Sequence, residues 1–328
     1  MLIFPTLSAL AVNFIFGHMF KSGLAANLTA QCPPTVTSLE LTPYRLPYTG
    51  LHLLDEKLCG LVAFFHAAMT PGPFPFLAYF MGTGAPLIAI PAVESFRKGR
   101  HFSIGYPLVV GFFCQVATVG VTMPVFWLLF IVSGAAKLNR RSGNEQTLVT
   151  HAHAEAIIFG VCVGSIIPTA CMFLLNDPLV TAIWQAFPVW VSIAQFGHHL
   201  FRPASRYPES GYKTVRALFV GLFIVSSSTH LASIWPKIGD LVALQFLFLP
   251  SIPVLNPATT TVELKVLDFL KWDAVFGFAS SILATFWFAR NAKQFTALLA
   301  WHVVAVPVFG PGAAIAGVAI WRESLLNG

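Results

Sequence analysis

Residues 103–136 carry no acidic or basic side chain and few polar ones. One helix of thirty-four residues would be about 50 Å long, against a hydrocarbon core of ~30 Å. The run is therefore either two short spans meeting near 119–123, where Gly120 and Pro124 offer a turn, or one kinked helix. Two spans place 97–101 and 137–150 on the same side, which their positive charges favour.

Other apolar stretches reach span length: 2–20, 76–96, 152–175, 178–200, 214–235, 266–289 and 294–321. Residues 57–69 read as a short or re-entrant helix, because Pro71, Pro73 and Pro75 stop any helix that follows. The expectation is all-α: a polytopic transmembrane helix bundle of eight or nine helices, one integral membrane domain over 1–328. Charged residues are 10% of the chain and mean hydropathy is +0.74. A soluble domain carries about 25% charged residues, so an ordinary soluble enzyme and a nucleic-acid binder are excluded. The bilayer is the expected surrounding.

The net charge of +6 is concentrated in short loops, at Arg97, Lys98 and Arg100, at Lys137, Arg140 and Arg141, at Arg202, Arg206, Lys213 and Arg216, and at Arg290 and Lys293. This is the distribution of cytoplasmic loops. If the first helix is retained and enters from the cytosol, 97–101, 137–150, 202–213 and 290–293 fall inside. The polar loop 21–55, Asn176-Asp177 and the Pro-rich segment 236–265 then fall on the other face. A cleaved signal peptide is the alternative for the first stretch, but Met19-Phe20-Lys21 is a poor cleavage site. Cys32 and Cys59 share the non-cytosolic face, where a secretory lumen permits a disulfide. Cys114, Cys162 and Cys171 lie in spans and read as packing residues. Asn27-Leu28-Thr29 is a sequon close to the end of the first span.

An ionisable side chain in hydrocarbon is a functional candidate by default. The acids in or near spans are Glu94, Glu155 and Asp273; the histidines are His66, His151, His153, His198, His199, His230 and His302. His151 and Glu155, four apart, share a helix face, so the imidazole can hold or relay a proton for the carboxyl group. The structural alternative for Glu155 is an acid in the first turn of a helix, and His153 points elsewhere and reads as structural. Asp273 is flanked by apolar sequence. It is either a catalytic acid or the partner of a backbone or basic group across the bundle, and Lys271 is too close in sequence to serve. His230 lies at similar depth and is a plausible neighbour for Asp273. Glu94, just before Arg97 and Lys98, reads chiefly as an interfacial salt bridge. Asp55-Glu56-Lys57 reads as an interfacial helix start.

Several chemistries lack their residues. The eight-histidine boxes of a membrane di-iron enzyme, DxxxD pairs for diphosphate-bound Mg²⁺, G-x-G-x-x-G, a P-loop and a G-x-S-x-G elbow are all missing from the sequence. No metal site and no cofactor is expected. What remains is acid–base chemistry in an apolar, aromatic-lined chamber, or transport. A transporter would show inverted repeats; the interrupted 57–96 segment fits broken helices, but no repeat is visible.

Phe126-Trp127-Leu128-Leu129-Phe130, His153-Ala154-Glu155-Ala156, Phe187-Pro188-Val189-Trp190-Val191 and the Ser210-Gly211-Tyr212 loop resemble fungal multi-pass proteins of secondary-metabolite clusters. The group they resemble is the membrane-bound terpene cyclases of the ascochlorin/ascofuranone type, with related epoxide hydrolases of polyene polyketides. The resemblance spans roughly 50–290. It implies a lipophilic epoxide substrate, prenylated or polyene, opened by a buried acid without metal or cofactor, in the endoplasmic reticulum membrane. An internal alkene, a hydroxyl or water then attacks the opening carbon. Asp273 and Glu155 are the acids available for that step, with His151, His230 and Glu94 as the further candidates. Aromatic faces can stabilise a passing cation.

Overall fold

In the computed structural model, which describes residues 2–33, 42–138 and 147–327, the elements are helical and no strand is present among the described residues. Arg140 and Arg141 lie outside the described residues. In chain order the helices are α1 (Ile3–Lys21), α2 (Leu24–Ala30), α3 (His52–Ala68), α4 (Phe74–Ser95), α5 (Pro107–Val116), α6 (Val119–Val132) and α7 (His151–Leu175). They continue as α8 (Pro178–Gln185), α9 (Phe187–Phe201), α10 (Tyr212–Ile234), α11 (Leu241–Phe248), α12 (Val262–Thr285), α13 (Ala292–Phe309) and α14 (Pro311–Asn327). Five of them, α1, α4, α7, α10 and α13 (α10 with the turn to Lys237), are long and apolar enough to cross a membrane; the bent pair α8 and α9 would make a sixth.

The helix count exceeds eight or nine because several runs are broken. The 103–136 run is a pair of helices, with the break at Ala117-Thr118 rather than 119–123. Thr118 sits at φ 70°, a left-handed conformation rare for a β-branched residue. The stretch 178–200, read as one span, bends by 63° between α8 and α9. The stretch 294–321, also read as one span, is a hairpin: Gly310 at φ 90° reverses the chain, and Trp301 Nε1 on α13 donates to the Ala314 carbonyl of α14 at 2.9 Å. Residues 21–55 are not all loop, since α2 lies inside them, and α11 lies inside 236–265. The helix expected at 57–69 begins at His52.

The polar-studded helix α12 is central and packs against α1, α3, α4, α6 and α14. It runs antiparallel to α1: Phe4 meets Trp287 beyond one end, at 5.3 Å between ring centroids, and His18 meets Asp268 near the other, at 3.5 Å. Lys265 donates to Asn27 Oδ1 and to the Pro257 carbonyl, both at 3.1 Å. Lys271 donates to the carbonyls of Phe246 and Leu249. α12, read from the sequence as the span 266–289, is not among the helices apolar enough to cross a membrane by themselves, and Lys265, Asp268 and Lys271 tie it to the segments covering one end of the bundle. Cys32 and Cys59 form a disulfide at that same end.

At the opposite end the basic loops meet. Lys98 N–H donates to the Leu148 carbonyl, Gly211 N–H to the Val149 carbonyl, and Arg290 to the Leu138 carbonyl. Beneath them lies a buried ion network. Arg97 Nε donates to Glu94 Oε1 at 2.8 Å, a second Arg97 nitrogen reaches Glu323, and Arg322 reaches Glu94. The sequence placed Glu94 at an interface beside its neighbours. The structure buries it and gives it a partner from α14, 228 residues away.

Candidate active site

The first turn of α7 is fixed from both sides. Thr150 caps it, its hydroxyl accepting the His153 N–H at 3.3 Å and lying 2.8 Å from His153 Nδ1. The preceding strand-like bridge Thr150–Ser210 and the bond from His151 N–H to the Glu209 carbonyl (2.7 Å) hold it against the 202–212 loop. His151 and Glu155 therefore project from adjacent turns, and His151 Nε2 lies 3.1 Å from Glu155 Oε1. Thr214 holds the other ring nitrogen at 3.2 Å. This is the pair that helix spacing predicts.

The end of α9 completes the cluster. Arg202 Nε lies 2.7 Å from Glu155 Oε2, an ion pair without an aligned hydrogen bond. His198 Nε2 is 4.0 Å from the same oxygen. His198 Nδ1 is buried and has no hydrogen-bond partner among the described residues. The neighbouring His199 faces His153, at 4.8 Å between rings, and His153 in turn lies against Phe96 at 4.7 Å. Arg202 also stacks over Tyr207, 4.1 Å from its ring centre. Glu155 keeps 27% of its side chain exposed.

α7 and α9 approach closely because glycine allows it: a Cβ at Gly164 would lie 2.3 Å from the Val191 nitrogen. At that level α7 passes through a π-helical turn, Cys162–Ile166, a local widening common at functional sites. The wider turn and the α8–α9 bend open an apolar groove of about 780 Å³ between the two helices. Phe159, Val163 and Pro168 line one wall, and Trp190, Ile193 and Ala194 the other. His198 and Arg202, which touch Glu155, form its polar end. The groove is open along its length, with Phe159, Val163, Ile183 and Ile193 all exposed, and like ligand sites it is mostly apolar with few convergent polar groups.

Asp273 has different surroundings. It is buried, in the middle of α12, and its Oδ1 accepts the Gly120 N–H at the start of α6. A Cβ at Gly120 would lie 2.8 Å from the Asp273 carbonyl oxygen, so the two helices touch there. No basic side chain among the described residues pairs with Asp273. Its partner is a backbone group across the bundle, one of the two roles the sequence left open.

His230 is not the neighbour of Asp273. Its Nδ1 lies 3.2 Å from the Tyr79 hydroxyl and its Nε2 3.2 Å from the Pro307 carbonyl, with Gly310 packed on the ring. Glu94 is committed to Arg97 and Arg322. His198 and Arg202 were legible only as a histidine in a span and a loop arginine, and only the fold brings them to Glu155. The His18–Asp268 contact had no signal in the sequence, since 250 positions separate the pair.

Comparison with known proteins places the chain. The terpene cyclase ascI of Acremonium egyptiacum is 26% identical over 294 residues, covering 83% of this chain and 75% of that one. The terpene cyclase atmA of Aspergillus flavus is 24% identical, over 79% of this chain and 76% of its own. The FAD-dependent monooxygenase verC1 of Penicillium polonicum is 23% identical over 73% of this chain but only 31% of the monooxygenase. No solved structure matches. The CtvD domain matches residues 1–327, so from its first helix to its last the chain belongs to the CtvD-domain family.

Proposed function

We propose that the protein is an integral-membrane terpene cyclase of the endoplasmic reticulum. It opens an epoxide on a lipophilic prenylated or polyene intermediate of secondary metabolism and needs no metal for the step. The observation that carries the reading is the meeting of Glu155, His198 and His151 at the polar end of the apolar groove. The relatives named terpene cyclases support the reaction class.

The chemistry is redox-neutral. A proton held by the Glu155–His198–His151 cluster goes to the epoxide oxygen, and the carbon–oxygen bond breaks toward that oxygen. The electron pair of an internal alkene forms the new carbon–carbon bond, and the resulting cation loses a proton to the carboxylate. The product is an isomer of the substrate. General acid help of this kind contributes typically 10²–10⁴-fold, and an apolar groove that holds the chain folded contributes through orientation. Arg202 holds the carboxylate in place between turnovers.

A hydrolase outcome has its own supporting observation: Glu155 is 27% exposed, so water can reach the cluster and compete with the alkene. Microsomes carrying the protein, supplied with an epoxidised prenyl-phenol or polyene and scored by mass, distinguish the two. An isomer identifies the cyclase, and a gain of one water identifies the hydrolase. Glu155→Gln and His198→Ala are expected to lower turnover by about 10² or more. Full turnover in Glu155→Gln together with loss in Asp273→Asn would move the acid to Asp273.

A further inference from the structure

The groove is apolar along its length and polar at one end, and that polarity has a direction along α9. Trp190, Ala194, Gly197 and His198 lie on one stripe of the helix, with Arg202 just past its end, and Trp190 and His198 are eight residues apart, about 12 Å. Trp190 does not swing freely. Its Nε1 donates to the Ile183 carbonyl across the α8–α9 bend at 2.8 Å, which fixes the indole on the groove wall beside the bend, about two helical turns from His198. Gly197 is the opposite case. A Cβ there would meet nothing within 4 Å, so neither close packing nor backbone conformation requires glycine in the middle of a helix. Glycine there is worth roughly 1 kcal/mol less than alanine. The room it leaves lies in the groove.

We infer that α9 measures the isoprenoid chain of the substrate: Trp190, held against the α8–α9 bend, narrows the groove, Gly197 keeps it open beside the polar cluster, and together they set which chain length is accepted. This rests on the cyclase reading of the same site and adds the residues that set the accepted length of the tail. The match is one of shape and polarity. The walls offer hydrocarbon contact alone, polar groups are confined to the His198–Arg202 end, and the reactive end of the substrate must reach Glu155.

The test uses the full-length protein in microsomes and a series of epoxidised prenyl-phenols differing by one isoprene unit. Gly197→Leu is expected to move the preferred substrate to a shorter chain and Trp190→Ala to a longer one. Each should change the kcat/KM ratio of adjacent chain lengths by about tenfold or more. Trp190→Phe, which keeps a ring but loses the bond to the Ile183 carbonyl, is expected to fall between wild type and Trp190→Ala, and it guards against a loss of fold in Trp190→Ala. Parallel losses at every chain length would overturn the inference. A second readout is photolabelling with benzophenone-bearing prenyl alcohols, mapped by mass to 190–202. Length-graded labelling there without any turnover would leave the ruler standing and sink the cyclase reading. Turnover with labelling elsewhere, or labelling displaced equally by phospholipid, would overturn the ruler and spare the cyclase.

Discussion

Asp273 and Glu155 look alike in the sequence, each an acid within apolar surroundings, and the structure separates them by what their oxygens meet. Asp273 receives a backbone N–H at the start of α6, where a helix presents unsatisfied donors and a positive dipole end. Glu155 faces side chains that can carry protons, and one of them, His198, lines the groove. Asp273→Ala is therefore expected to act on stability. It leaves a buried N–H without its acceptor, a loss of about 1–3 kcal/mol, read as a lower melting temperature of the detergent-solubilised protein. Asp273→Asn keeps an acceptor oxygen and should retain turnover within a few-fold. Loss of turnover at an unchanged melting temperature would show instead that Asp273 takes part in the chemistry. The His151–Glu155 contact was legible because helix geometry alone fixes residues four apart. The contacts of Glu155 with His198 and Arg202 depend on how α7 packs against α9, which no local pattern encodes.

Helices were legible as apolar runs; proline and glycine gave the α3–α4 break and offered one within 103–136, but the α8–α9 and α13–α14 breaks were not legible. Hydropathy marks a helix end by the polar loop beyond it, but the α5–α6, α8–α9 and α13–α14 joints turn within apolar sequence. The signals at those joints are Thr118, the Ala186-Phe187-Pro188 bend and the run Pro307-Val308-Phe309-Gly310-Pro311. Proline or glycine inside a membrane helix is common enough to be read as a kink. With Val308 and Phe309 between Pro307 and Gly310, even the hairpin turn is apolar. α14 docks through a mostly apolar face, Ala313 to Ala319, and carries buried charges only near its end, at Arg322 and Glu323. Removing one member of a buried ion network leaves its partners uncompensated, so Glu94→Ala, which strands Arg322 and weakens the hold on Arg97, is expected to destabilise by about 3–5 kcal/mol. Glu94→Leu with Arg322→Leu leaves the Arg97–Glu323 pair balanced and should recover most of that loss in a melting experiment. At the start of α3, Asp55 ties down the 42–50 segment. The Thr49 hydroxyl, chiefly, with the N–H groups of Thr49 and Gly50, holds its carboxyl below the usual carboxylate range. A depressed folded-state pKa contributes stability above the unfolded value of about 3.9 and loses it as pH falls through the folded one. Asp55→Asn should melt below wild type at neutral pH, and the gap should close as the solution is acidified past that range.

At the scale of the whole molecule, two independent features support one proposed orientation. The loops 97–101, 147–150, 209–211 and 290–293 meet at one end through backbone and arginine contacts, and clustered basic residues face the cytosol. The Cys32–Cys59 disulfide lies at the other end, and disulfides persist in an oxidising lumen. The antiparallel course of α1 and α12 agrees with both, since Phe4 lies with Trp287 near the basic end and His18 with Asp268 near the disulfide. In this proposed orientation the Glu155 cluster lies at the cytosolic end of the bundle, and the epoxide of the proposed reaction would reach it from the cytosolic leaflet. A glycosylation sequon built at Gly239, in an open turn where a side chain meets nothing within 4 Å, should be modified in cells and give a mass shift that an endoglycosidase removes. The same sequon placed among residues 203–208 should stay unmodified. The opposite pattern would invert the bundle, place the disulfide in a reducing compartment, and require the substrate to enter from the lumenal leaflet.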